Sequence, residues 1–402
     1  MDVSVRMLRD EGELAQAWEL DRIAFNNRPD QREGWMTHVR PDEVHGVFVG
    51  PELVAIVRVI PLAQWFGGRS VPMGGIGSVA VAPEHRGKGY ASLALTTTLP
   101  AMRDAGQVIS TLSPATTRLY RGLGWGLGGF QGWRRVPCRS LTLLPAGSAD
   151  AVRRAVRDDL TAIQACYGRV APEVNGFVDR SEGYWAETLG RIWDERYVYV
   201  VEGDDTGHDT GEYNVIDGYV VYRHEPDRTG TYRIRVDEVV ARHADAAVAL
   251  WRLVGTSSSQ VRDVWFAGPP EDPLLLLLPE QDLSFEWEMR WMVRAVDAAG
   301  AVAARGFPPG LAGAVDLDVH DRQCEWNAGR WRFSLADGHG RLERGGTGAV
   351  RLGASALASL WSGWASAHTL RRAGLLAGGS AADLATLDAA FAGPTPWMPD
   401  FF

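Results

Sequence analysis

Glu84-His85-Arg86-Gly87-Lys88-Gly89 sets two cations among two glycines directly before 91–102, a stretch of mostly Ala, Leu and Thr at helix length. Glycines at the mouth of a helix let backbone N–H groups approach an anion, and the helix dipole favours negative charge there. The chemistry on offer is capture of a phosphate or pyrophosphate, with Arg86 and Lys88 adding side-chain charge. Taken alone, the R-x-x-G-x-A spacing is equally that of an ordinary strand-to-helix turn. About thirty residues on, Tyr120 supplies a phenol that is protonated at neutral pH and able to donate a proton. Ser113 precedes Pro114 and reads as the N-cap of a short helix over 115–121. At the far end, Pro394-Thr395-Pro396-Trp397-Met398-Pro399-Asp400-Phe401-Phe402 is stiff and aromatic, where a frayed terminus is normally polar.

The elements that must hold these groups follow from periodicity. A Val/Ala/Ile run over 76–82, bounded by Gly74 and Gly75 on one side and Pro83 on the other, predicts a buried strand feeding the glycine turn. Upstream, Leu14, Ala17, Trp18, Ile23 and Ala24 recur at helical spacing over 11–24, a second short helix over 30–38 carries Trp35, and 46–49 and 53–61 read as antiparallel strands joined at Gly50-Pro51. Downstream, 107–112 reads as a strand, and the leucine run 274–278 as a buried strand between prolines.

Composition narrows the classes. The chain has 402 residues, 46% hydrophobic and 23% charged, which suits two or three globular domains. Its opening residues, MDVSVRMLRDEGE, lack the apolar stretch of a signal peptide, and no run approaches the ~20 apolar residues of a membrane span. Cys138, Cys166 and Cys324 are odd in number and far apart, so neither a disulfide framework nor a zinc site is expected, and a cytoplasmic location fits. A net charge of −9 without a long basic run argues against nucleic acid as partner and suits a cationic substrate.

V-A-V-x-P-x-x-R-G-K-G-Y-A followed by S-x-x-T-x-x-L-Y-R-x-L-G-W resembles the acetyl-CoA-binding core of the GNAT N-acetyltransferases. The resemblance implies transfer of an acetyl group from a thioester to an amine, with acetyl-CoA as co-substrate and no metal. It assigns the oxyanion donors to the backbone of Val79, Ala80 and Val81. The pyrophosphate would rest on Arg86, Gly87, Lys88, Gly89, Tyr90 and Ala91. Ser113 stands at the family's Asn position and would hydrogen-bond the pantetheine arm, the alternative being its capping role. Tyr120 would protonate the departing thiolate; the alternative is a packing tyrosine.

Strands over 197–201, 215–223 and 231–241, a helix over 245–255 and a strand over 264–267 repeat the order of the first domain. At the position of the turn stands Val239-Val240-Ala241-Arg242-His243-Ala244-Asp245-Ala246, which has no glycine. The segment 203–212 reads as a surface excursion. From about Arg290 the composition shifts to Ala, Gly, Val and Trp, with strands over 313–320 and 331–336 and helices over 354–367 and 381–391. The expected architecture is therefore α/β (α+β). A GNAT domain over 1–145 is followed by a degenerate GNAT-like domain over 146–289 and a sterol-carrier-like domain over 290–402 whose tail reaches the active site.

That plan is similar to the enhanced intracellular survival (Eis) family of acetyltransferases. The resemblance implies that the α-carboxylate of Phe402 receives the amine proton, the alternative being a tail that seals its own domain. It places substrate contacts at Phe25, Asn27, Trp35, Ser78, Asp400 and Phe401, and implies a homo-oligomer, in the family a hexamer. Asn26-Asn27 stands where family members that acetylate aminoglycosides tend to carry an acid, and Ser78 where an aromatic is expected. Amines of aminoglycosides, peptides and small molecules all remain open as acceptors. Two rival readings are a carrier of apolar ligands built on Trp326, Trp331, Trp361 and Trp364, and an acetyl-CoA-binding module without turnover.

Overall fold

In a computed structural model, residues 2–145, 152–203, 215–226 and 232–402 are described. Positions 204–212 of the expected surface excursion, and the start of the strand expected from 231, lie outside them. The chain forms two compact units, one of residues 1–129, 290–394 and 401–402, the other of 130–289 and 395–400.

The first unit opens with strand β1 (Val3–Met7), helix α1 (Glu11–Phe25), helix α2 (Arg32–His38), and strands β2 (Val44–Val49), β3 (Glu52–Phe66) and β4 (Arg69–Val81). Helix α3 (Tyr90–Asp104), strand β5 (Ile109–Leu112) and helix α4 (Thr117–Gly122) follow. Strands β1 to β4 pair antiparallel in order, and β5 pairs parallel to β4. The β4–β5 ladder runs only from Met73–Ile109 to Ile76–Leu112; β5 then stops while β4 continues to Val81. One face of this sheet buries Val47, Val57, Ile76, Leu95, Leu99, Tyr120 and Trp125 in one cluster, and α1 packs Leu14 and Ala17 into another with Ile56 and Ala80.

Gly74 and Gly75 lie inside β4 rather than bounding it, because neighbours crowd that strand: a Cβ on Gly74 would stand 2.3 Å from Met102 Sδ of α3. The cap of α4 is Thr116, not Ser113, and the helix begins at Thr117. The helix expected over 354–367 is two, Ala354–Trp361 and Ala367–Arg372, since Gly363 turns the chain at φ +82°. Around these, the strands His339–Arg344, Gly329–Ala336, Gly313–His320, Val350–Gly353 and Leu376–Gly378 form a separate five-stranded sheet in that order.

The second unit pairs the strands Tyr197–Glu202, Ile216–Pro226 and Tyr232–Ala241 antiparallel, with Val261–Ala267 parallel to the last. Helix Ala244–Gly255 joins those last two strands and packs Leu250, Trp251 and Val254 on the sheet. The leucine run is a single helical turn, Leu274–Leu277, not a strand: Leu274 is buried, while Leu276 is 89% exposed.

Candidate active site

The widening gap between β4 and β5 opens a cavity of about 880 Å³. At its mouth the turn after β4 reaches α3 through Gly87 at φ +78° and Gly89 at φ +87°. Both are left-handed values that cost an L-residue about 1–2 kcal/mol, which is why glycine stands there. Gly89 is the N-cap of α3 and brings no side chain to the helix end, so the first-turn N–H groups stay available to an incoming anion. Gly87, Gly89, Tyr90, Ala91 and Arg86 line the cavity, Arg86 Nε donating to the carbonyl of Val81 at 3.3 Å. Lys88 is exposed, with Nζ 3.4 Å from His85 Nδ1, and is not part of the lining.

Deeper in, β4 carries a bulge: Ile56 faces Ala80 and Arg58 faces Gly77, leaving Ser78 and Val79 opposite Val57 alone. A bulge frees backbone groups from the ladder and re-aims them. Ser78 takes φ +47°, a strained value for a non-glycine residue of the kind that concentrates at functional sites. Val79, Ala80, Val81 and Ser113 all line the same wall.

Tyr120 closes the inner end, buried edge-on against Trp125 at 6.2 Å, and burial pushes its phenol up to about 12. It therefore stays protonated across the neutral range. The chain's own end enters the cavity too. A Cβ on Gly75 would lie 2.9 Å from the Phe402 ring, and one on Gly77 would lie 3.6 Å from its carboxyl carbon. Gly75 makes room for the Phe402 ring, Gly77 stands in ordinary contact with its carboxyl, and Phe401 and Phe402 both line the cavity.

Phe25, Asn27, Trp35 and Ser78 are also on its wall. Asp400 is not: it belongs to the second unit, where it is buried and pairs with Arg180, Nη2 to Oδ1 2.9 Å. A carboxylate already neutralised by a buried guanidinium is not free to attract an ammonium, so that part of the substrate reading is corrected.

Among the wall residues that sequence reasoning missed is an acid. Asp21 on α1 is 3% exposed, and Asn27 Nδ2 donates to its Oδ2 at 2.8 Å. Burial raises its carboxyl above the ordinary range, opposed by Ser78, Arg58, Asn27 and Trp35. The signal was available: Leu14, Ala17, Trp18 and Asp21 form the buried stripe of α1 at i, i+3, i+4 and i+7, so an acid occupies an apolar position. As for metals, among the described residues Glu52, Glu84 and His85 bring three ligand atoms within 4.8 Å, with both glutamates exposed.

Comparison with known proteins bears on the family. Residues 4–128 match an acetyltransferase (GNAT) domain, 176–295 a second acetyltransferase (GNAT) domain, and 298–399 a sterol carrier protein domain. A GCN5-related N-acetyltransferase from Kribbella flavida is 35% identical, with 100% of this chain and 98% of that one superposed at a TM-score of 0.87. A GCN5-related N-acetyltransferase from Anabaena variabilis, 28% identical, superposes over 100% of both chains at 0.91. N-acetyltransferase Eis of Mycobacterium tuberculosis is 28% identical over 392 residues, covering 93% of this chain and 92% of its own. With two GNAT domains in tandem ahead of a sterol carrier domain, the chain belongs to the Eis-like GNAT N-acetyltransferases and is an acetyltransferase.

Proposed function

We propose that the protein transfers an acetyl group from acetyl-CoA directly to an amine in a ternary complex, within the cavity between β4 and β5. The observation that carries this reading is the meeting, on one wall, of an uncapped glycine-mouthed helix end, Tyr120 and the carboxyl of Phe402. The pyrophosphate of the cofactor sits on the N–H groups after Gly87 and Gly89 with Arg86 beside it, Lys88 contributing only to the field at the mouth. The pantetheine arm runs along the exposed edge of β4 past Ser113, whose hydroxyl is free of the capping role. The freed amides at the Ser78–Val79 bulge face the thioester oxygen and stabilise charge as it develops.

Tyr120 protonates the leaving thiolate. The Phe402 carboxylate takes a proton from the acceptor; an α-carboxyl near pKa ~3.5 is a weak base in water, so the transfer relies on its being held against the reacting amine. Phe25, Trp35 and Phe401 present aromatic faces that suit the alkyl and ammonium parts of an amine. The three domains divide at 145/146 and 289/290, with the tail of the third supplying the terminal carboxylate.

The test is release of free thiol from acetyl-CoA with three acceptors: kanamycin, tyramine and a tripeptide amide with a free N-terminus. Turnover with at least one is expected, and removing Phe402 lowers it on the order of 10²-fold while acetyl-CoA still binds. Binding of acetyl-CoA with no acceptor-dependent thiol release would favour a module without turnover.

A further inference from the structure

Conversion of an ammonium to an amide nitrogen removes two protons from that nitrogen, and a single terminal carboxylate can hold one of them. A second carboxyl stands on the same cavity wall. Asp21 Oδ1 is buried with no well-formed hydrogen bond among the described residues, although Oδ2 is held by Asn27 and the side chains of Ser78 and Trp35 come near enough to favour the ionised carboxyl. An orphaned carboxylate oxygen is costly and calls for an explanation in function or in a passing partner. The side chain facing it across the wall is Ser78, half-buried, at the bulge beside Val79 and held at φ +47°. The strained residue thus both lines the cavity and lies beside Asp21.

We propose that Asp21 and Ser78 form a proton relay for the acceptor amine, Ser78 Oγ passing the proton and Asp21 Oδ1 receiving it. The inference rests on the acetyl-transfer reading above. The amine nitrogen forms its bond to the acetyl carbon and the carbon–sulfur bond breaks. One N–H proton goes to the Phe402 carboxylate. The other goes to Ser78 Oγ as the serine's own proton moves to Asp21 Oδ1, and Tyr120 gives its proton to the thiolate. When the two carboxylic acids then release their protons, one restores Tyr120 and one leaves to solvent. The ionisable groups that face Asp21 are Arg58 from β3, itself tied to Glu43 at 2.9 Å, and, within the same cavity, the Phe402 carboxylate. Arg58 favours the ionised relay and burial opposes it, so Asp21 accepts a proton more readily than an exposed aspartate.

The experiment measures kcat/KM between about pH 5.5 and about pH 9 with the fastest of the three acceptors, in the unsubstituted chain, Asp21→Asn, Ser78→Gly and the double variant. Ser78→Gly removes the hydroxyl while relieving the left-handed φ, and Asp21→Asn keeps shape without the base. Each single change is expected to lower kcat/KM on the order of 10²-fold, and the double variant no further than the worse single, as for parts of one relay. The carboxylate works only when ionised, so activity falls as pH drops through its raised value; in Asp21→Asn that acid limb moves to lower pH. Acetyl-CoA affinity stays within about twofold throughout, which separates failure of the relay from failure of the cofactor site. An acid held above its ordinary pKa destabilises the fold once ionised, so Asp21→Asn is expected to raise Tm near pH ~8 and not near pH ~4. An Asp21→Asn protein with unchanged turnover and pH profile, or fully additive losses in the double variant, overturns the proposal.

Discussion

Two strands in this chain carry a bulge and lead into a helix, and they have been finished in opposite ways. In β4 the bulge at Ser78–Val79 faces a cavity, and the helix after it begins at a bare glycine. In Tyr232–Ala241 the register slips at Asp237, between Glu238 and Val236, but the surroundings are filled by the protein itself. Asp237 accepts from Arg196 and Arg223, while Glu238 pairs with the buried Arg180 at 2.7 Å, the same guanidinium that holds Asp400. The helix that follows is capped by its own His243, whose Nδ1 accepts from the N–H of Ala246 at 3.2 Å. Arg242, the cation at the mouth, pairs with Asp217. An anion site is favoured by vacant N–H donors and an unpaired cation, and here one first-turn N–H is taken by His243 and the cation by Asp217. The second copy keeps the bulge and the strand–helix order but not the glycines.

Replacing the proposed proton donor tests the open copy most severely. Tyr120→Phe keeps the ring packed on Trp125 and removes only the hydroxyl, so turnover is expected to fall about 10²- to 10⁴-fold with acetyl-CoA affinity little changed. Thiol release and calorimetry measure the two quantities separately, and near-normal turnover would remove the tyrosine from the mechanism. Next in size is closing the mouth. Gly89→Val forces a β-branched residue to φ +87°, a strain of about 1–3 kcal/mol, and sets a side chain where the anion would lie. Acetyl-CoA should bind about 10- to 100-fold more weakly. Equal affinity would mean that the cofactor's phosphates do not sit on this turn.

The same contrast shows why some of this was legible in the sequence. Left-handed turns force glycine, so the turn at Gly87 and Gly89 was visible in residue type, and Arg242-His243 showed in the same way that the second unit lacks such a turn. Packing duties were less visible. Gly74 and Gly75 looked like strand boundaries because the atoms that crowd them, in Met102 and Phe402, lie far off in sequence. Ser113-Pro114 carried the local signature of a helix start, yet α4 begins four residues later at Thr117, since local preference for a cap is weak against the path a chain must take. Asp400 was read as a free charge because its partner Arg180 is non-local, and Asp21 went unread although its place on the apolar stripe of α1 marked it.

The smallest expected effect comes from trying to reopen the closed copy. Asp217 is the carboxylate on which Arg242 and, at 3.4 Å, His243 converge, and both partners are largely solvated. Ion pairs of that kind are worth about 1 kcal/mol or less, so Asp217→Asn should lower stability only slightly. It frees a cation at a helix mouth, which is half of what the first copy has. It supplies no glycine, and the N–H of Ala246 stays occupied by His243, so the stoichiometry of acetyl-CoA, expected at one per chain, should not rise and turnover should stay the same. Calorimetric titration of the variant reads this directly. A second equivalent of bound acetyl-CoA would show that a single internal carboxylate had been standing in for the ligand and that the backbone of the second copy was never lost. One equivalent places the difference in the glycines and in the capping histidine, where no single charge change can reverse it.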